Sequence, residues 1–305
     1  MSAMRILKLA ALVAFLMVLA RPAAAQSEPP SEPQPTAREA APTEPEAPAG
    51  PDLTEANELI LEGDYEAAEA ALAALAVEFP DDPVLLLAHG EVLLALRRPE
   101  EALARLERSA ALDPTKPRVH FQLAAALTNL GQEDRAFEEF GKELETNEEP
   151  QVLKLALLNR SMLLGKKKDW AGSAAELERA LEVDPSQVPI YGDLATLYIQ
   201  AGDLERARDA LARGEAAGFV SAAHYYSLGA RFYSDERDEE AVAAFRKAIE
   251  LDPEMARAER SLAAALERAG RPQEAVAHLK RYLELTPDAP DVDQVSEKIR
   301  LAEKG

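Results

Sequence analysis

The sequence predicts an all-α fold, a solenoid of about seven helix-turn-helix units followed by a C-terminal capping helix. Three observations predict it. Ala, Leu and Glu dominate the 305 residues and aromatics make up only 5%, a balance that favours helix over a sandwich or barrel. A closing tripeptide recurs at Leu112-Asp113-Pro114, Val183-Asp184-Pro185, Leu251-Asp252-Pro253 and Leu285-Thr286-Pro287, with Phe79-Pro80 a looser copy. Its prolines fall on one period: Pro80 to Pro114 is 34 residues, Pro185 to Pro253 is 68 and Pro253 to Pro287 is 34. A fixed period of this size means stacked copies of one supersecondary unit.

Residues 1–25 read as a secretory leader. Arg5 and Lys8 precede a 12-residue apolar run, Leu9–Ala20, and Ala23-Ala24-Ala25 supplies small residues before a cleavage point at Gln26. The run is short for a membrane span of roughly 20 residues. The expectation is therefore export by the general secretory route, with cleavage after Ala25 and no membrane insertion of the mature chain. The alternative is an uncleaved signal anchor. Periplasmic or secreted localisation follows from the first reading.

Residues 26–52 are a different material, with eight prolines in 27 residues and no large apolar side chain. Such a segment gains too little from burial to offset the entropy of ordering. It reads as an acidic linker of polyproline II character, with a reach of roughly 80 Å.

From residue 53 to 289 the repeat runs through seven units with one interruption. The units start at 49, 83 and 117, then at 154, 188, 222 and 256, giving 49–82, 83–116, 117–150, 154–187, 188–221, 222–255 and 256–289. A three-residue insertion at 151–153 separates the two blocks. Within 222–255, Tyr225-x2-Leu228-Gly229-x2-Phe232 marks a first helix, Ala241-x3-Phe245 a second, and Pro253 the close. Positions 8, 20 and 27 are mostly Ala, Gly or Ser, because bulk at a crossing of two helices sets how closely they approach. Gly63, Gly131, Gly202 and Gly270 all stand at position 15, where a left-handed residue ends the first helix. Asp-Pro stops the second helix. Phe219 stands where Pro is usual. The insertion is close to one helical turn, so the fourth first-helix is expected to start early, at Pro150 or Gln151. Residues 290–305 read as a capping helix, with Val292, Val295, Ile299 and Ala302 on one apolar stripe.

This pattern resembles the tetratricopeptide repeat (TPR), and the resemblance covers nearly all of the folded part. It implies a helical scaffold that binds protein partners along a concave groove lined by the first helix of each unit, at positions 2, 5, 6, 9, 12 and 13. Repeats 1 to 4 place Asn57, Leu87, Leu94, Phe121, Gln122, Asn129, Leu158 and Asn159 there, a largely apolar set. Repeats 5 to 7 place Asp193, Tyr226, Tyr233, Arg257 and Arg260 there, a polar and partly cationic set. Tyr226 and Tyr233 are two turns apart on one helix, with Gly192 expected to leave space beside Tyr226 and both arginines to border it. For the apolar side chains, and for the two tyrosines, packing between helices and contact with a partner both fit. The family's carboxylate clamp is not matched: Leu53 holds position 5 before Asn57, and Ala88 the next position 6.

Composition and motifs exclude several function classes. Lys plus Arg number 34 and Asp plus Glu 55, a net charge of −21, which opposes binding to nucleic acid. With no cysteine there are no disulfides or thiolate sites. His89, His120, His224 and His278 have no metal-ligand spacing, and Gly165-Lys166-Lys167-Lys168 lacks the upstream glycine of a phosphate loop. The expectation is a non-enzymatic chain with no cofactor and no metal, acting as an interaction scaffold in the cell envelope. Its partner would be an extended peptide or an amphipathic helix. A subunit of a pilus, secretion or cell-wall assembly machine is the alternative. Oligomeric state is left open.

Overall fold

The computed structural model describes residues 50–304. The expected leader and cleavage point within residues 1–25, and residues 26–49 of the proline-rich segment, lie outside the described residues. Among the described residues there are fifteen α-helices and no strand. Seven pairs follow one another: α1 (Thr54–Glu62) and α2 (Tyr65–Glu78), α3 (Pro83–Ala95) and α4 (Pro99–Leu112), α5 (Val119–Asn129) and α6 (Glu133–Thr146), α7 (Pro150–Lys166) and α8 (Trp170–Val183), α9 (Ile190–Ala201) and α10 (Leu204–Ala216), α11 (Ala222–Ser234) and α12 (Asp238–Leu251), α13 (Ala256–Arg268) and α14 (Pro272–Leu285). A fifteenth, α15 (Val292–Ala302), follows the last pair. The chain divides into two compact units, Met1–Asn159 and Arg160–Gly305. The division falls within α7, whose 17 residues begin at Pro150, the early start the insertion predicts.

One backbone device turns every first helix into its partner. The residue at position 15 has positive φ in all seven pairs: Gly63, Gly131, Gly202 and Gly270 at 72–81°, and Arg97, Lys168 and Glu236 at 58–62°. In six of the seven pairs the next residue starts the second helix in one of two ways, Gln132 being the exception with no side-chain cap. Asp64, Asp169 and Asp203 accept a hydrogen bond from the backbone N–H three residues on, an N-cap. Where Arg98, Arg237 and Arg271 stand instead, each guanidinium binds the glutamate three residues on: Glu101, Glu240 and Glu274. At the other end, Asp113, Asp184 and Asp252 follow the second helix, and their carboxylates accept from the backbone N–H two residues on. The aspartate of Asp-Pro therefore shapes the turn that the proline enforces.

In the first unit the core is built from small residues at the crossings and leucines around them. Ala56, Ala68, Ala102, Ala124 and Ala136 are at most 1% exposed. A Cβ on Gly90 would lie 2.5 Å from Leu106, so α3 and α4 touch only because that position is bare. Glu143 is fully buried on α6 and accepts from the backbone N–H of Arg118 at 3.0 Å and of Phe121 at 2.9 Å, and from the Asn147 amide at 2.6 Å. It thereby satisfies the free donors at the start of α5.

The second unit repeats the plan. Phe232 and Phe245 are 1% exposed, and Gly229 leaves room for the Phe245 ring. Ser161 and Ser173 take the two crossing positions of α7 and α8 and bond each other at 2.9 Å. Phe219, in the place of the closing proline, fills the notch over Gly192 and Gly214 and meets His224 edge-on at 5.4 Å. Helix α15 buries Val295 and Ile299. No helix among the described residues is long and apolar enough to cross a membrane.

Candidate interaction surface

Once the helix crossings are filled, the first helix of each pair keeps one stripe turned away from the core. In the first unit that stripe carries exposed amides beside partly buried apolar side chains. Asn57 and Asn129 are exposed. Leu87, Leu94 and Phe121 are only 9%, 6% and 9% exposed, and Phe121 packs edge-on against Phe140 at 5.4 Å. The apolar groove expected over these positions is corrected accordingly: the side chains fill the spaces between helices. Gln122 is 2% exposed and donates to Glu91 at 2.8 Å. Arg118 pairs with the same carboxylate at 2.8 Å. Burial pushes the Glu91 carboxyl up, opposed by Arg118 and Gln122. Leu158 and Asn159 are half-buried on α7, and the Asn159 amide donates to the Leu155 carbonyl of its own helix.

The Glu91–Arg118–Gln122 node was missed from sequence in part. Glu91 and Arg118 stand at positions 9 and 2 of adjacent repeats, both groove positions. Opposite charges there were the available signal.

In the second unit the stripe runs over α9, α11 and α13, and α11 packs on both of the others. On α9 it carries Asp193, Thr196 and Gln200. On α11 it carries Tyr226, Ser227, Ala230 and Tyr233, while Tyr225 and Phe232 point into the core at 8% and 1% exposure. On α13 it carries Arg257, Arg260, Ala264 and Arg268. The Arg257 guanidinium lies 4.6 Å from the Tyr226 ring centre, and Tyr226 rests in turn on Phe245 at 5.6 Å. Arg268 stacks on Tyr233 at 3.6 Å, pairs with Asp238 at 2.5 Å and donates to the Tyr233 carbonyl. These are cation–π contacts on half-exposed rings.

Two expectations are corrected here. The space over Gly192 does not stay open for Tyr226, because the Phe219 and His224 rings occupy it. Arg260 does not border Tyr226. It turns to Tyr282 at 5.6 Å and pairs with Asp291 at 2.6 Å, while the Tyr282 hydroxyl donates to the same carboxylate at 2.8 Å. Arg260 also lines a recess of about 260 Å³ between α13 and α15, with Ser261, Glu267 and Lys298. Asp193 has the opposite character. It is half-buried, its carboxyl makes no hydrogen bond or ion pair, and burial raises that carboxyl to about 6.

The histidines are structural in their contacts. His120 meets Glu139 at 2.7 Å, His278 meets Glu259 at 2.6 Å and His89 meets Glu69 at 3.5 Å. Among the described residues no cluster of three acids or histidines is placed to hold a metal ion.

Models of the family described as tetratricopeptide repeat match residues 59–120 and 166–232, and a second such model matches 226–290. Together they cover more than half of the chain. The fold is similar to that of the C-terminal part of a TPR repeat-containing protein from Cytophaga hutchinsonii. That match has a TM-score of 0.57 and 14% identity, over 80% of this chain and 99% of that one. It is also similar to a chain in the structure of Naa15/Naa10 bound to HypK, with a TM-score of 0.63 and 16% identity, over 82% of this chain and 38% of that one. No curated protein matches the chain.

Proposed function

The chain belongs to the tetratricopeptide repeat family, and we propose that it is a non-catalytic scaffold, exported to the periplasm or cell envelope, that holds a segment of a protein partner against its first-helix stripe. Family membership supports protein binding. The observation that carries the site is Tyr226: its ring is half-exposed and topped by Arg257, while the neighbouring aromatics Tyr225 and Phe232 are spent on the core. Aromatic and arginine side chains fixed in place on a stable scaffold are where binding energy concentrates. Export is supported by the leader pattern of residues 1–25.

The partner class follows from what the stripe lacks. Leu87, Leu94 and Phe121 are spent on packing and Leu158 alone of these apolar candidates stays half-exposed, so the surface offers mainly hydrogen-bonding and charged groups over small side chains. That favours an extended peptide over an amphipathic helix, which needs an apolar groove. A pull-down from envelope extract with the wild-type chain and with Tyr226→Ala tests the reading. A partner retained by the first and lost by the second, at unchanged helical content, is the expected result. One stable stoichiometric complex would favour a subunit of an assembly machine. Equal capture by both proteins would move the site away from Tyr226.

A further inference from the structure

We propose that the stripe of the second unit recognises an extended protein segment by two opposite charges, a basic side chain received by Asp193 and an acidic one received by Arg257, with Tyr226 between them. This rests on the partner-binding reading above and adds the chemistry of the partner.

Three observations carry it. First, Asp193 is a half-buried carboxyl with no hydrogen bond and no ion pair, in a chain whose acids are otherwise widely bonded to arginine, lysine or backbone N–H. A carboxyl kept in that state costs free energy in the free protein, and an incoming cation relieves it. Second, Arg257 is exposed and lies on the Tyr226 ring with no carboxylate beside it, whereas Arg260 and Arg268 on the same helix are engaged by Asp291 and Asp238. Stacking fixes its orientation and leaves its N–H donors free, the state in which a guanidinium forks onto a carboxylate. Third, the floor between the two charges is small: Ser227 and Ala230 on α11, and Ala264 on α13. Small side chains let a partner's main chain come close, and they leave no apolar trough for a helix. α9 adjoins α11, and α11 adjoins α13, so the acid and the arginine sit one helix to either side of the tyrosine.

The occupant is therefore a segment of another protein, extended and carrying one cation and one anion at a fixed separation. Neither a purely acidic nor a purely basic tail satisfies both ends. A nucleic acid is opposed by the net charge of −21.

The probe is a display library of random 12-residue peptides selected on the full chain. Selected peptides should carry a basic and an acidic residue at one fixed separation. Affinity should fall about tenfold in Asp193→Asn, and this loss should vanish for a peptide whose basic residue is replaced by Met. Arg257→Gln should behave likewise toward the acidic residue. Loss of all peptide binding in Tyr226→Ala, without any charge enrichment, would overturn the two-charge inference while leaving the interaction surface standing. Peptides that bind equally well to all three variants would overturn the surface itself. Light scattering that shows a dimer of this chain dissolved by Asp193→Asn would also overturn the proposal, by making a second copy the occupant. Circular dichroism of each variant shows that the helices persist.

Discussion

Asp193 makes a prediction that needs no partner. Burial raises its carboxyl to about 6, from an ordinary aspartate value of 3.8. The folded state therefore binds more protons than the unfolded state between those limits, and stability falls as pH rises from about 4 to about 6. Above that window the cost is constant. His224, packed over the preceding Gly192, is itself pushed down by burial and stays neutral near pH 7, so it adds no compensating charge. Asp193→Asn is expected to stabilise the chain at pH 7 by about 1–3 kcal/mol. The gain should shrink to nothing below pH 4, read from urea midpoints across pH. A second prediction concerns Lys168, which sits at φ 62° where four other repeats place glycine. A side chain there costs roughly 1–2 kcal/mol, and glycine returns part of that as unfolded-state entropy. Lys168→Gly should raise stability by a few tenths to about 1 kcal/mol in equilibrium unfolding; a loss would mean the turn is held by the lysine itself.

The helices were legible in the sequence because their signals are local. The 34-residue period, small crossing residues and left-handed turn position place α1 to α14 with little further input, and even the early start of α7 follows from the three-residue insertion. What stayed hidden depends on which neighbour a side chain meets. Leu87, Leu94 and Phe121 occupy groove positions by count, yet the adjoining helices close over them. Gly192 reads as empty space until Phe219 arrives from the next turn. Glu143 had a signal that periodicity alone does not interpret: an acid at position 27, where four other repeats carry the small Ser109, Ala180, Gly214 or Ala248 and the two end repeats carry Leu75 and Tyr282. Its carboxylate caps α5 by accepting from the Arg118 and Phe121 N–H groups. Glu143→Ala strands those donors inside the unit and should cost about 2–3 kcal/mol. Glu143→Gln, which keeps the acceptor oxygen, should cost less. Equal losses for the two would mean that volume matters more than capping.

Taken whole, the chain is acidic far beyond what its folded contacts use, and the leader bears on that charge. Residues 1–25 contain Arg5, Lys8 and Arg21 and no acid. Cleavage after Ala25 therefore removes three cations and takes the net charge from −21 to −24. At −21 for the whole chain, the surface is one that anionic lipid and nucleic acid repel, with local cation–π sites such as Arg257 on Tyr226 as exceptions. The charge-steered part of partner capture should then be concentrated at those sites, and binding should weaken as salt shortens the screening length below about 10 Å. Processing is tested on protein purified from its native envelope by intact mass and isoelectric focusing. The expected species begins at Gln26 and focuses below the full-length chain. A species that keeps all 25 residues would make the apolar run of Leu9–Ala20 an anchor. The proline-rich segment of residues 26–52 would then be the tether that carries the repeats away from the membrane.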